Sequence, residues 1–198
     1  MPDHLIIVRA GASDYERHGR IRGTLRMPLS ADGLTDARLA ADLVASTPPD
    51  RLYTSGDACA TETARIVGRA CGLRPQRLND LENLDQGLWQ GMLVDEIRVK
   101  QPRLYRQWQD NPWAVAPPEG ELLEDACMRI EGVLESLVRR HRGGRVAVVV
   151  PPPLDQILRW IVSGQSMGDL WGGEPERPPV AEFPLAAQWH PVRRRARV

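Results

Sequence analysis

The chain has 198 residues, and its 26 Lys plus Arg balance 26 Asp plus Glu, so the formal net charge is zero. That balance excludes a global field for nucleic acid or for an anionic membrane surface. A hydrophobic content of 42% with 26% charged residues suits one soluble domain with a full core.

No apolar run approaches the ~20 residues that span a bilayer. Met1–His4 offers no basic stretch leading into an apolar one, so no signal peptide is expected. Cys59, Cys71 and Cys127 are an odd number at unrelated spacings. They form neither a disulfide framework nor a metal knuckle. The four histidines are scattered, so neither a metal nor a cofactor is expected, and the expected location is cytoplasmic.

In chain order, His4–Arg9 is a nearly continuous apolar run, as in a strand covered on both faces. Residues 11–31 lack periodicity and read as a loop. A helix begins near Asp32-Gly33, with Leu34, Ala37, Ala41 and Val44 on one stripe, and Pro48-Pro49 stops it. Leu52–Thr54 is a second strand, and a helix over Ala58–Ala70 is closed by Gly72. Arg77–Leu81 reads as a third strand. Residues 82–120 are polar and rich in Trp and Pro, with one helix over Asp95–Trp108, and read as an insertion or lid.

A long amphipathic helix carries Leu123, Cys127, Ile130, Leu134, Leu137 and Val138 on one face. Arg145–Val150 is another buried strand, and Leu154–Val162 a further helix. Strands alternating with helices predict a parallel or mostly parallel α/β sandwich. After Gly164 the pattern fades. Residues 1–165 read as the domain, and 166–198 as a Gly/Pro-rich extension ending in the basic tail Arg193–Arg197, a frayed terminus.

Several short motifs occur in order. They are Arg9-x-Gly11, Arg20-Ile21-Arg22-Gly23 with Pro28-Leu29-Ser30, then Gly33, and Tyr53-Thr54-Ser55 leading to Thr63-Ala64. Gly87-Leu88-Trp89-Gln90-Gly91, Pro118-Glu119-Gly120-Glu121 and Val146–Val150 follow. Together they resemble the histidine phosphatase (phosphoglycerate mutase-like) superfamily, the branch with the R-H-G motif, over about the first 165 residues. The resemblance implies a three-layer α/β/α sandwich with a mostly parallel central sheet.

It also implies a chemistry: an imidazole nucleophile, cations and donors on the phosphoryl oxygens, and an acid for the leaving oxygen. Here those positions hold other residues. Ala10 stands at the nucleophilic histidine and Glu16 at a phosphate-binding Asn. Cys59 replaces the second Arg, Asn83 the general acid, and Pro151, in Val150-Pro151-Pro152-Pro153, the second histidine. Arg9 keeps its family identity. Loss of the nucleophile alone costs on the order of 10⁶ in rate where residues act as a unit.

The resulting expectation is a catalytically inactive, pseudophosphatase-like protein. It would act by binding a protein partner, as a regulatory, scaffolding or assembly subunit. The alternative is a divergent phosphatase or mutase acting on a phosphorylated small molecule or protein, with Cys59 or Ser13 as nucleophile. A homo-oligomeric structural protein is a third reading. Arg9, Arg20 and Arg22 could hold an anion weakly at the pocket mouth. Trp89, Trp108 and Trp113 could offer a partner surface, with packing of the lid as the simpler account. Cys59 through Arg65 formally spells C-x₅-R, but the residues between lack the glycines of a phosphate-wrapping loop.

Overall fold

The computed structural model describes residues 2–141, 143–171 and 178–185. The strands are β1 (His4–Arg9), β2 (Arg51–Thr54), β3 (Gln76–Arg77), β4 (Arg145–Val150) and β5 (Val180–Pro184). The helices are α1 (Asp14–Arg17), α2 (Ala31–Ala45), α3 (Ala58–Cys71), α4 (Val94–Lys100), α5 (Pro102–Asp110), α6 (Leu123–Arg140) and α7 (Leu154–Ser163). The sheet order is β3-β2-β4-β1-β5, parallel throughout except for β5, which runs antiparallel to β1.

The period-two alternation of the strands builds the layers. Ile6, Val8, Leu52, Ala147 and Val149 pack on one face with Ala40, Ala41, Ala60, Ala64 and Val67 of α2 and α3. Leu5, Ile7, Tyr53, Val146, Val148 and Val150 pack on the other with Ile130, Leu134, Ile157 and Leu158 of α6 and α7. Both faces are covered, which is why these strands are apolar at successive positions. The expected three-layer α/β/α sandwich is present.

The topology also places a crevice. From β1 the chain passes to α2 on one face, and from β4 it passes to α7 on the other. β1 and β4 are hydrogen-bonded neighbours. Their carboxyl ends therefore part the connecting loops, as at the ligand crevice of an open parallel sheet.

Four local expectations change. The loop after β1 contains the short α1. The third strand is only Gln76–Arg77, and Asn79–Leu81 turns into a 3₁₀ helix. The insertion helix is two helices, because Pro102 lacks an N–H and restarts the chain as the first residue of α5. From the segment after 165, read as an extension, Val180–Pro184 supplies the edge strand β5. The basic tail at 193–197 lies outside the described residues.

Candidate functional site

The crevice opens into a cavity of about 700 Å³ at the carboxyl ends of β1 and β4. Its wall comes from the end of β1 and the residues after it (Arg9, Ala10, Ala12, Glu16), the loop at 19–23, Gln86, Val94, and Pro152-Pro153 with Gln156. Ala10 is buried, and its N–H donates to the Val150 carbonyl at 2.8 Å, which ties the two strand ends together. Gly11 follows because the backbone of α2 leaves no room. A Cβ there would sit 2.0 Å from the Gly33 carbonyl oxygen, and one on Gly33 would sit 2.0 Å from that of Ala12.

The inner wall is a closed chain of charge. Ser13 donates to Glu16 Oε2 through its backbone N–H at 2.6 Å and its hydroxyl at 2.9 Å. Arg22 Nε donates to Glu16 Oε1 at 3.1 Å, and Arg22 Nη1 donates to Asp57 Oδ2 at 2.5 Å. Asp57 Oδ1 in turn caps α3, accepting the Ala60 N–H at 2.9 Å. Burial opposes the charge on Arg22, but Glu16 and Asp57 outweigh it and raise its pKa further above the ordinary value. Arg22 is only 3% exposed. Its guanidinium lies between two carboxylates, which engage Nε and Nη1 and leave Nη2 without a partner.

The other singled-out residues separate. Arg9 and Arg20 line the cavity, and Arg20 Nη1 donates to the Gly91 carbonyl at 2.7 Å. Cys59 lies at the start of α3, fully buried, with its thiol donating to the Met27 carbonyl at 3.2 Å. Burial first, with nearby Asp57 and Glu16 adding to it and Arg22 opposing, pushes that thiol up to about 12. Cys59 is therefore a thiol, not a thiolate, at neutral pH. Ser13 is also fully buried and committed to Glu16. Neither nucleophile considered for the alternative reading reaches the cavity wall.

Asn83 is a strap. Its Nδ2 donates to the carbonyls of Gly23 at 2.9 Å and Pro152 at 3.1 Å, joining two loops of the cavity rim. Pro151 is buried behind the wall that Pro152 and Pro153 form. Three successive prolines remove the backbone donors that an anion nest would need.

Trp89 and Trp108 are buried and unavailable as a partner surface, which corrects that expectation for these two and agrees with packing as the simpler account. Trp89 is 0% and Trp108 1% exposed, because the segment 82–120 folds into the core beside α6 instead of lying over it. Trp113 is partly buried against Trp160, ring centroids 5.0 Å apart. Trp108 stacks on Trp171 at 4.5 Å and 7°.

Sequence reasoning missed Asp57, Gln86 and Trp171. Asp57 stands directly before a predicted helix, and its capping type was a usable signal. Gln86 precedes Gly87, whose positive φ of 47° is needed because a Cβ would meet the Pro118 carbonyl oxygen at 2.1 Å. Trp171 comes from the segment with no periodic pattern and carried no signal.

The model of the histidine phosphatase superfamily (branch 1) matches residues 5–172. The chain belongs to this superfamily. A phosphoserine phosphatase 1 of Hydrogenobacter thermophilus is 33% identical over 167 residues, covering 84% of this chain and 79% of that protein. Among solved structures, Bacillus stearothermophilus YhfR aligns with a TM-score of 0.82 at 25% identity, covering 94% of this chain and 93% of that one. A mycobacterial glucosyl-3-phosphoglycerate phosphatase aligns with a TM-score of 0.77 at 25% identity, covering 85% and 86%. The chain spans 44% to 79% of the length of curated relatives it matches. Among the described residues of this superfamily member, no group of three or more His, Cys, Asp or Glu could hold a metal ion, and no helix is long and apolar enough to cross a membrane.

Proposed function

We propose that this superfamily member works by binding and not by phosphoryl transfer, as a regulatory, scaffolding or assembly subunit. The observation that carries the reading is the composition of the cavity wall. Its described residues include no His, Cys, Ser, Thr, Lys or Tyr. The carboxylates that remain there are Glu16 and Asp36. Both oxygens of Glu16 accept hydrogen bonds from Ser13 or Arg22, and Asp36 pairs with Arg17 at 2.9 Å. A carboxylate can attack phosphorus, but one whose lone pairs already accept from buried donors is a poor nucleophile. With Trp89 and Trp108 in the core, the cavity mouth around Arg20 and the 53% exposed Leu39 is a surface that could meet a protein partner.

A second reading rests on the relatives. Two of the three named above are a phosphoserine phosphatase and a glucosyl-3-phosphoglycerate phosphatase, which favours a divergent phosphatase or mutase-type enzyme with a non-standard nucleophile. Purified protein incubated with p-nitrophenyl phosphate, phosphoserine and a phosphosugar panel separates the two. The binding reading expects release of phosphate at the rate of buffer alone. Turnover that disappears in Arg9→Ala, with a covalent phosphoryl adduct in the mass spectrum, establishes the enzymatic one.

A further inference from the structure

We infer that Leu170 and Trp171 form an adjustable wall of the cavity: segment 164–171 swings on two glycines, and its docking sets the size of ligand that the cavity admits. The inference rests on the cavity being the binding site, as in the reading above.

The wall opposite is tied by backbone and buried side-chain contacts. The Ala10 N–H donates to the Val150 carbonyl at 2.8 Å, and Asn83 Nδ2 joins the Gly23 and Pro152 carbonyls. The Ile21 N–H donates to the Met92 carbonyl at 2.9 Å, and the Gly91 N–H to the Ile21 carbonyl at 2.7 Å. These contacts fix the carboxyl ends of β1 and β4 and the loops beside them.

Leu170 and Trp171 line the same cavity from a segment of another kind. Residues 164–171 belong to no helix or strand, and 165–166 and 168–169 are exposed. Gly164 and Gly168 hold a positive φ, 76° and 68°, where glycine bends the chain without steric cost. Side chains seat the segment against α5. The Trp171 ring stacks on Trp108 at 4.5 Å and meets Trp89 edge-on at 4.7 Å, and Leu170 packs in the core. Gln109 Nε2 donates to Asp169 Oδ2 at 3.2 Å, and Asp169 Oδ1 accepts the Trp171 N–H at 2.9 Å. An irregular, exposed segment seated by a few side chains opens at lower cost than strands paired on both sides. Small solutes pass the fixed mouth around Arg20 and Leu39, and larger ones enter as the segment is displaced.

The test follows the Trp171 indole N–H in uniformly ¹⁵N-labelled full-length protein, identified by its loss in Trp171→Phe. That nitrogen is buried, so its proton exchanges with solvent when the segment opens. Asp169 and Gln109 are exposed and lie outside the described cavity wall, so changing them alters the seat and not the lining. Gln109→Ala removes one hydrogen bond and should speed exchange roughly twofold, and Asp169→Ala removes two and should speed it about fivefold. The amides of β4 should keep their rates in both. Access is read in an Ala10→Cys background by peptide mass spectrometry, which separates residue 10 from Cys71. Labelling by fluorescein maleimide should rise by the same factors, and labelling by the smaller iodoacetamide should stay constant. Val94→Cys, elsewhere on the cavity wall, takes the place of Ala10→Cys should that variant fail to fold. The inference is overturned if the indole exchanges only as slowly as the β4 amides, if neither variant speeds it, or if it speeds while fluorescein labelling stays constant. No turnover is read, so failure here leaves the phosphatase assay to judge the binding reading separately.

Discussion

Replacing Arg22 with Met tests whether the inner wall is closed by its own charges. Met keeps much of the length and apolar stem of Arg and removes the guanidinium. Glu16 and Asp57 then face each other without a cation, with side-chain exposures of 19% and 4%. Removing one partner of a buried ion pair costs about 3–5 kcal/mol. The lower end applies, because Glu16 keeps two donors from Ser13 and Asp57 keeps the Ala60 N–H at the start of α3. At roughly 2–4 °C per kcal/mol for a chain of this size, a loss of about 3 kcal/mol lowers Tm by roughly 6–12 °C. Differential scanning calorimetry reads this directly. Glu82→Gln is the control: it breaks the half-exposed Arg77–Glu82 pair at 3.0 Å, worth about 0–1 kcal/mol. If Arg22→Met falls no further than Glu82→Gln, the guanidinium is solvated and the closed-wall account fails.

The remaining expectations concern the other corrected residues. Iodoacetamide at pH 8 should label half-buried Cys71 ahead of buried Cys59, read by peptide mass spectrometry; early labelling of Cys59 contradicts its assignment. Because folding raises the Cys59 pKa from 9.0 to about 12, its contribution to stability is whole below pH 9 and is lost as pH rises toward 12. Cys59→Ala should therefore flatten the alkaline decline of Tm. Trp108→Ala should cost about 3–5 kcal/mol in urea unfolding, as a core truncation does; a cost below about 1 kcal/mol would return Trp108 to the surface. Ala10→His alone should leave p-nitrophenyl phosphate turnover at background. The cavity wall would still hold prolines at 152 and 153, and Arg22 would still be engaged; activity on this one change would refute that.

The fold was legible because its signals are periodic and local. His4–Arg9 and Arg145–Val150 are apolar at successive positions because both sheet faces are covered, and the Gly72 that ends α3 adopts the left-handed conformation at φ 67°. β5 left no such mark. Its residues Val180–Pro184 are mostly half-exposed at a sheet edge and include Pro184, so neither alternation nor an apolar run announces the strand. The departures from the family's site residues were equally legible, since Ala10 and Pro151 can be read one position at a time. The charge network beside them was not. Glu16, Arg22 and Asp57 come from α1, the loop after it and the cap of α3, and only the folded chain brings Asp57 to Arg22 across 35 positions. Trp89 and Trp108 misled for the opposite reason: a polar segment rich in Pro suggested a lid, while the indoles within it fill the core.

A phosphate site works by holding donors unsatisfied until the anion arrives. In this chain several comparable groups have found partners within the protein: Arg22 with Glu16 and Asp57, Ser13 with Glu16, and the Cys59 thiol with the Met27 carbonyl. The two carboxylates also lie at the starts of α1 and α3, where the helix dipole favours negative charge. The contacts that stabilise the loops around the cavity thus engage two of the three nitrogens of Arg22. On the binding reading proposed above, stability and phosphate chemistry compete for the same guanidinium. Arg22 Nη2 alone of that guanidinium remains without a partner. On this account, substitutions that loosen Arg22 lower Tm without creating turnover.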